Sequence, residues 1–382
     1  MPEPFKTFFN PDMIALMGTH LARASDGFDQ GRFVDLATDN LDALELKERS
    51  RQIRDALQAC LPSGFRDACA VLSTALHPED DVDLSQTCMD EHGIRGWAVM
   101  PMTEFVAENG LDDFDYAMDI LKEMTKRFSS EFAVRAFIVR NPDKAMTIMT
   151  GWTEDANYHV RRLASEGSRP RLPWGGNLAM FISDPEPVID LLEHLKDDPS
   201  DYVRRSVANS LNDIAKDHPD RVAEIAGRWL EHAEGNRRRL VRHACRTLVK
   251  QGHKPTLDAL GFGKPDVELI RFDITTPAVV YGGTLEFEIE LVSRSARDQN
   301  LILDYVIHHR KANGETTPKV FKGKTCDLGA LETARVKRRH AIRPITTRVY
   351  YPGTHGLEIL ANGESLAHRS FELVMPDKNE QA

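Results

Sequence analysis

Residues 153–174 read TEDANYHVRRLASEGSRPRLPW, and the piece His159-Val160-Arg161-Arg162 within them decides how the chain is organised. The same piece recurs as Ala133-Val134-Arg135, Tyr202-Val203-Arg204-Arg205 and Leu240-Val241-Arg242-His243, with successive valines 26, 43 and 38 residues apart. Acids stand five positions before two of the valines, Asp155 and Asp198. Similar pieces at about 40-residue spacing mark stacked helical hairpins. Each hairpin is expected to carry Val-Arg at the start of its second helix.

A single hairpin cannot bury its apolar face, so such units stack into a curved HEAT-like solenoid with one concave wall. Outward from the motif, residues 11 to about 253 keep the helical period, with apolar positions recurring at three and four between Pro and Gly breaks. Leu41 to Leu61, Phe114 to Phe128 and Val188 to Leu195 are clear instances. The pattern breaks at Gly252-His253-Lys254-Pro255 and again at Gly261-Phe262-Gly263-Lys264-Pro265. Beyond it the period switches to two. Val267–Ile274, Thr284–Val292, Asn300–His308, Lys319–Lys324, Ala334–Ile342, Gly356–Ala361 and Ala367–Val374 are expected as strands. Gly282-Gly283, Asn313-Gly314, Pro352-Gly353 and Asn362-Gly363 supply turns between them.

The expected architecture is therefore multidomain. An all-α HEAT-like repeat solenoid (1–253) precedes a linker (254–265), an all-β immunoglobulin-like sandwich (266–376) and a disordered tail (377–382). No Cys…Trp…Cys trio marks the sandwich as antibody-like.

Composition excludes several classes. The chain has 382 residues, 41% of them apolar and 28% charged, as an ordinary globular protein does. No apolar run approaches the roughly 18–20 residues of a membrane-spanning helix, and the amino terminus lacks the pattern of a signal peptide. Five spread cysteines without a CxxC pair fit reduced thiols, hence an expected cytoplasmic location. The net charge of −10 is uneven: residues 1–130 carry 12 Lys and Arg against 24 Asp and Glu. Residues 131–263 are nearly neutral, and 15 of their 20 cations are arginine, the side chain suited to bidentate grip on phosphate or carboxylate. A salt-bridged helical surface would have the same composition.

The sequence contains no phosphate loop, HExxH, nucleophile elbow or deaminase zinc motif. His308 and His309, adjacent on a strand, are expected on opposite faces and at the surface. The stretch 153–174 stands apart. Arg161, Arg162, Arg169 and Arg171 surround Glu166, and Gly167, Pro170 and Pro173 lead the chain out of the helix to present Trp174. A carboxylate so placed is either a structural ion pair, with Trp174 capping the core, or a working group. Glu131 follows Ser129-Ser130 at a helix start, where it would favour the helix dipole, and Asp213 would be solvated on the plainest reading.

The run HVRRLASEGSRPRLPW, with SSEFAVR before it and DYVRRSVANSLND after it, resembles the AlkC family of DNA alkylation repair glycosylases. The resembling helical block spans about two thirds of the chain, and one branch of that family carries an immunoglobulin-like domain. The resemblance implies hydrolysis of the bond between a methylated base and deoxyribose, without metal or nucleotide cofactor. Favoured substrates would be cationic bases such as 3-methyladenine, with 3-methylcytosine a second candidate. It further implies Glu131, Glu166 and Asp213 as catalytic acids and Trp174 as an aromatic wall. The partner would be duplex DNA containing alkylated bases, bound by a monomer, with the target base left largely stacked.

On that reading Arg161, Arg162, Arg169, Arg171, Arg204, Arg205 and Arg238 become candidate phosphate contacts. Neighbouring arginines on one helix lie about 100° apart, so one of each pair is expected to face the groove and the other to bridge repeats. In the sandwich, Lys337-Arg338-Arg339-His340 and His308-His309-Arg310-Lys311 are either DNA contacts or edge-strand protection. Two rivals stand beside the glycosylase: a non-catalytic HEAT scaffold, which needs no acid amid arginines, and a carbohydrate-active enzyme. The second would want several aromatic platforms, and only Trp97, Trp152, Trp174 and Trp229 are present, three of them expected in the core.

Overall fold

The computed structural model describes residues 5–80, 83, 88–345 and 348–376; the tail expected at 377–382 lies outside them. The chain divides into two compact units, Met1–Asp217 and His218–Ala382.

The first unit is helical: α1 (Pro11–Ala24), α2 (Gln30–Thr38), α3 (Leu46–Cys60), α4 (Phe65–Thr74), α5 (Val99–Asn109), α6 (Phe114–Thr125), α7 (Val134–Arg140), α8 (Pro142–Gly151), α9 (Tyr158–Gly167), α10 (Ala179–Ser183), α11 (Glu186–Leu195) and α12 (Asp201–Ile214). Local chemistry sets their starts. Asn10, Asn141 and Asn157 each cap a helix by accepting a backbone N–H, and prolines at 11 and 142 take the first helical position. In α12, Val203, Val207, Leu211 and Ile214 repeat at four, four and three and are all buried. Helix α9 packs against α6, α11 and α12.

The helix expected over 41–61 is in fact two elements. Asn40 turns left-handed (φ 49°), a 3-10 turn spans Leu41–Ala43, and α3 begins afresh behind a Glu45–Glu48 capping box. The repeated motif also needs correction. Val134 opens α7, and Val160 and Val203 are each third in their helices, but Val241 lies seven residues into α14 (Gly235–Ala244).

The described residues of the second unit form α13 (Pro219–Leu230), α14, α15 (Arg246–Lys250), α16 (Lys254–Ala259) and eight strands. These are β1 (Val267–Ile274), β2 (Ala278–Val280), β3 (Thr284–Ser293), β4 (Gln299–Arg310), β5 (Thr316–Leu328), β6 (Thr333–Ala341), β7 (Gly353–Ala361) and β8 (Glu364–Val374). One sheet has the order β1-β3-β6, the other β2-β8-β7-β4-β5. Strict alternation in β3 buries Leu285, Phe287, Ile289 and Leu291, which meet Leu303, Tyr305, Ile307, Leu357, Ile359 and Phe371 in the sandwich core. Strand β2 escapes sequence reading because three residues after Pro277 carry too little alternation; it pairs parallel to β8. At the β7–β8 turn, Asn362 and Gly363 both have positive φ, 44° and 76°, as a two-residue primed turn requires. Asn362 also donates to the carbonyls of Gly263 and Asn300, fastening the end of the helical stretch to the sandwich.

His308 and His309 do point to opposite faces, but only one is near the surface. His309 continues the inward row of Leu303, Tyr305 and Ile307 and is 5% exposed, whereas His308 bonds Glu358 at 2.8 Å.

Candidate active site

Glu131 sits in the turn between α6 and α7. The neighbouring Ser130 is buried and donates to the Leu121 carbonyl at 2.8 Å, which fixes that turn to α6. Ser129 Oγ donates to Glu131 Oε2 at 2.8 Å. From α9, Arg162 reaches the same Oε2 with Nη1, which also donates to Ser129 Oγ at 2.8 Å. Its Nη2 lies 3.5 Å from Glu166 Oε1, and its guanidinium covers the Tyr202 ring at 5.1 Å.

Glu166 is committed on both oxygens. Oε1 accepts from Arg169 at 2.5 Å and Oε2 from Ser206 at 2.6 Å. Beyond it, Arg169 forks onto Asp213 Oδ2 at 2.9 and 2.8 Å, and Lys216 holds Asp213 Oδ1 at 3.0 Å. The result is an alternating line, Glu131–Arg162–Glu166–Arg169–Asp213–Lys216. Burial alone would raise the Glu166 carboxyl, but Arg162, Arg169 and the Ser206 hydroxyl together hold it below the usual carboxylate range. Asp213 is therefore buried (3% exposed) and paired, not solvated.

The line is kept in register from behind by Arg135, which the sequence showed only as part of the repeated motif. Its guanidinium donates to the carbonyls of Gly167 (2.9 Å), Arg169 (2.8 Å) and Gly176, with no acid within bonding distance among the described residues. Burial and the neighbouring charge of Arg169 lower its pKa to about 10. The turn that leaves α9 needs Gly167, since a Cβ there would lie 2.5 Å from Val134 Cγ2.

A cleft of about 1040 Å³ opens onto one end of this line. Glu131, Arg162, Glu166, Tyr158, Tyr202 and Arg205 contribute to its walls. So do Phe5, Phe8, Trp97 and Phe128, which sequence reasoning missed because aromatic residues far apart in a chain give no periodic signal. Of the expected acids, Glu131 and Glu166 meet in the cleft, while Asp213 stands behind Arg169. Glu131 differs from Glu166 in one respect: its Oε1 has no hydrogen-bond partner among the described residues. Trp174 is 56% exposed at a positive φ of 64°. It borders a neighbouring depression and meets Phe5 edge-on at 5.7 Å.

The expected phosphate-binding arginines separate into groups. Arg162 and Arg205 line the cleft; Arg205 is the more open, 66% exposed and paired with the equally exposed Asp201 at 3.1 Å. Arg161 forks onto Asp198 at 2.6 and 3.1 Å and donates to the Asp155 and Ala156 carbonyls, so Asp198, five before Val203, helps join its motif copy to the preceding one. Arg204 is 7% exposed and donates to the carbonyls of Asp198 and Pro199. Arg169 lies in the charged line, and Arg171 pairs with Asp217 at 2.9 Å. In the second unit Arg238 is exposed, and its Nε donates to the Ala233 carbonyl at 2.9 Å.

The cations of β6 are matched in place. Arg335, Lys337 and Arg339 pair with Glu290, Glu288 and Glu286 of β3 at 3.0, 3.4 and 2.9 Å, while His340 turns inward to the Tyr305 hydroxyl at 3.0 Å. Of the tryptophans, Trp152 and Trp229 are core, and Trp97 is half-buried in the cleft wall.

Comparison with known proteins agrees with this geometry. A family model described as DNA alkylation repair enzyme matches residues 110–248, and one for the C-terminal Ig-like domain of the uncharacterised protein YhaZ matches 268–375. YhaZ of Bacillus subtilis is 35% identical over 374 residues, 96% of this chain and 99% of its own. A solved structure of the Pseudomonas fluorescens alkylpurine DNA glycosylase AlkC, bound to DNA containing an abasic-site analogue, superposes with a TM-score of 0.85. It is 35% identical and covers 97% of this chain and 100% of its own.

Proposed function

The chain belongs to the AlkC-like DNA alkylation repair enzymes that carry a YhaZ-type immunoglobulin-like domain, and from that premise we propose that it is a DNA glycosylase for cationic alkylated bases, 3-methyladenine foremost and 3-methylcytosine second. The observation that carries the reading is that Glu131, in the cleft wall beside the locked Glu166, has an Oε1 with no hydrogen-bond partner among the described residues. A methylated base bearing positive charge is already a good leaving group. What remains for the protein is to stabilise an oxocarbenium-like sugar and place a water.

Glu131 serves both needs. One oxygen is fixed by Ser129 and Arg162, and the other is left to accept a hydrogen bond from the attacking water. Glu166 positions Arg162 and adds negative charge to the wall; Asp213 holds Arg169 in the line. Trp174, exposed beside the neighbouring depression, is a further candidate contact for the duplex. The phosphate backbone falls to the exposed Arg205, and the concave wall of a HEAT-like stack leaves one face of the target base accessible without its being flipped out of the helix.

The test is release of free base from methylated duplex DNA, analysed by chromatography, for wild type, Glu131→Gln and Glu166→Gln. Wild type is expected to release 3-methyladenine. Glu131→Gln is expected to lose about 10²-fold or more in single-turnover rate with DNA binding retained. No release by wild type of 3-methyladenine, 3-methylcytosine or 7-methylguanine would overturn the glycosylase and leave a DNA-binding repeat scaffold.

A further inference from the structure

The wall of the cleft facing these charges is aromatic, and its outermost rings are exposed. Phe5 and Phe8, on a 3-10 turn spanning Phe5–Phe8, are 54% and 43% exposed. Phe8 stacks on Trp97 with ring centroids 5.2 Å apart and planes 8° apart; Phe5 lies 5.9 Å from Trp97 and 5.7 Å from Trp174. Trp97 in turn rests on Phe128 at 5.1 Å.

The turn is firmly held. Phe9 behind it is fully buried and meets Trp97 edge-on. Buried Arg49 donates to the carbonyls of Phe9 (2.8 Å) and Lys6 (3.3 Å), and Lys6 pairs with Glu45 at 2.7 Å. Two phenyl rings kept at a surface on so rigid a base forgo burial worth about 2 kcal/mol each, which is the mark of a contact surface. Charge selects the occupant. Asp83, Glu131, Glu166 and Asp201 line the cleft against two arginines, each already paired with an acid. The balance of this lining is negative and attracts a cation, as do the negative faces of the rings. A planar group carrying positive charge satisfies both walls.

We propose that Phe5, Phe8 and Trp97 form a stacking ledge that receives the positively charged base of the lesion while the opposite wall acts on its sugar. This rests on the glycosylase reading above and names the residues that would select a cationic aromatic base. Stacking and cation–π attraction hold the base as the glycosidic bond lengthens; the ledge takes no proton and forms no bond.

The test is single-turnover release of 3-methyladenine from methylated duplex by the full chain, comparing wild type with Phe5→Leu/Phe8→Leu and Phe5→Tyr/Phe8→Tyr. Leucine keeps apolar bulk and discards the ring; tyrosine keeps the ring. The leucine pair is expected to lose roughly tenfold or more in kcat/KM. The tyrosine pair should stay within about threefold of wild type, and both should bind undamaged duplex as wild type does, since the ledge holds no phosphate contact. Wild-type rates in the leucine pair, or equal losses in both pairs, would overturn the ledge and leave the glycosylase standing. No base release by wild type would overturn both.

Discussion

At Arg169 a single side chain joins two buried carboxylates, with Glu166 at 2.5 Å and Asp213 at 2.8 Å. Removing one partner of a buried pair costs about 3–5 kcal/mol, because the other charge stays in a low-dielectric place. Arg169→Met keeps the volume and is expected to lower the melting temperature markedly, while Arg171→Met, which breaks a half-exposed pair with Asp217, should cost under about 1 kcal/mol. Equal melts for the two variants would refute the line as a structural unit. Arg205 offers a different readout. If it contacts one phosphate, Arg205→Ala should reduce the slope of log affinity against log salt by about 1; an unchanged slope removes it from the interface. The sequence showed that one of Arg161 and Arg162 should face the groove and the other bridge repeats, but not which, and nothing in it separated Arg169 from Arg171. They part because each leaves the chain on a different side of α9 or its exit turn and meets a different partner.

At the level of elements, two glycines join helix to sheet within the second unit. Gly252 (φ 68°) follows α15 and Gly363 (φ 76°) closes the β7–β8 turn. A Cβ built on either would fall within 3.0 Å of the other's Cα. Gly252→Ala and Gly363→Ala therefore each meet a strained backbone and a backbone collision at once, and each is expected to destabilise the second unit by about 2 kcal/mol or more in thermal melts. Gly176→Ala, with nothing within 4 Å and an ordinary φ, is the control and should melt as wild type. The sequence signalled both junction glycines, one as the end of the helical pattern and the other as a hairpin turn, but not that they touch. The same limit applies to β6. Period-two cations were plain in the sequence, whereas their match with Glu286, Glu288 and Glu290 depends on the β3–β6 register.

Across the whole molecule the two units should respond to acid over different ranges. In the sandwich, burial lowers His309 to about 3 and His340 to about 4, and it lowers His355 as well. The unfolded chain takes up these protons near pH 6.5. Stability from the neutral imidazoles is thus complete above about 6.5 and is lost as pH falls towards 4, by about 2 kcal/mol at pH 5 for His309 alone. Glu166 works in the opposite sense: its lowered folded pKa contributes stability that is present above about 4.3 and disappears only below it. Unfolding followed by circular dichroism from pH 7.5 to 3.5 should therefore show strand signal weakening first while most helix signal remains, and His309→Phe should delay that step. Loss of all the helix signal together with the strand signal would refute the separation. The helical block, the sandwich and the family were determined by the sequence itself, because hydrophobic period and turn chemistry are local properties written along the chain. The site was decided by tertiary structure. Whether a carboxylate is locked like Glu166 or open like Glu131, and whether Phe5, Phe8, Trp97 and Phe128 share a wall, depends on residues brought together across 30 to more than 100 positions, and no local pattern encodes which partners burial will supply.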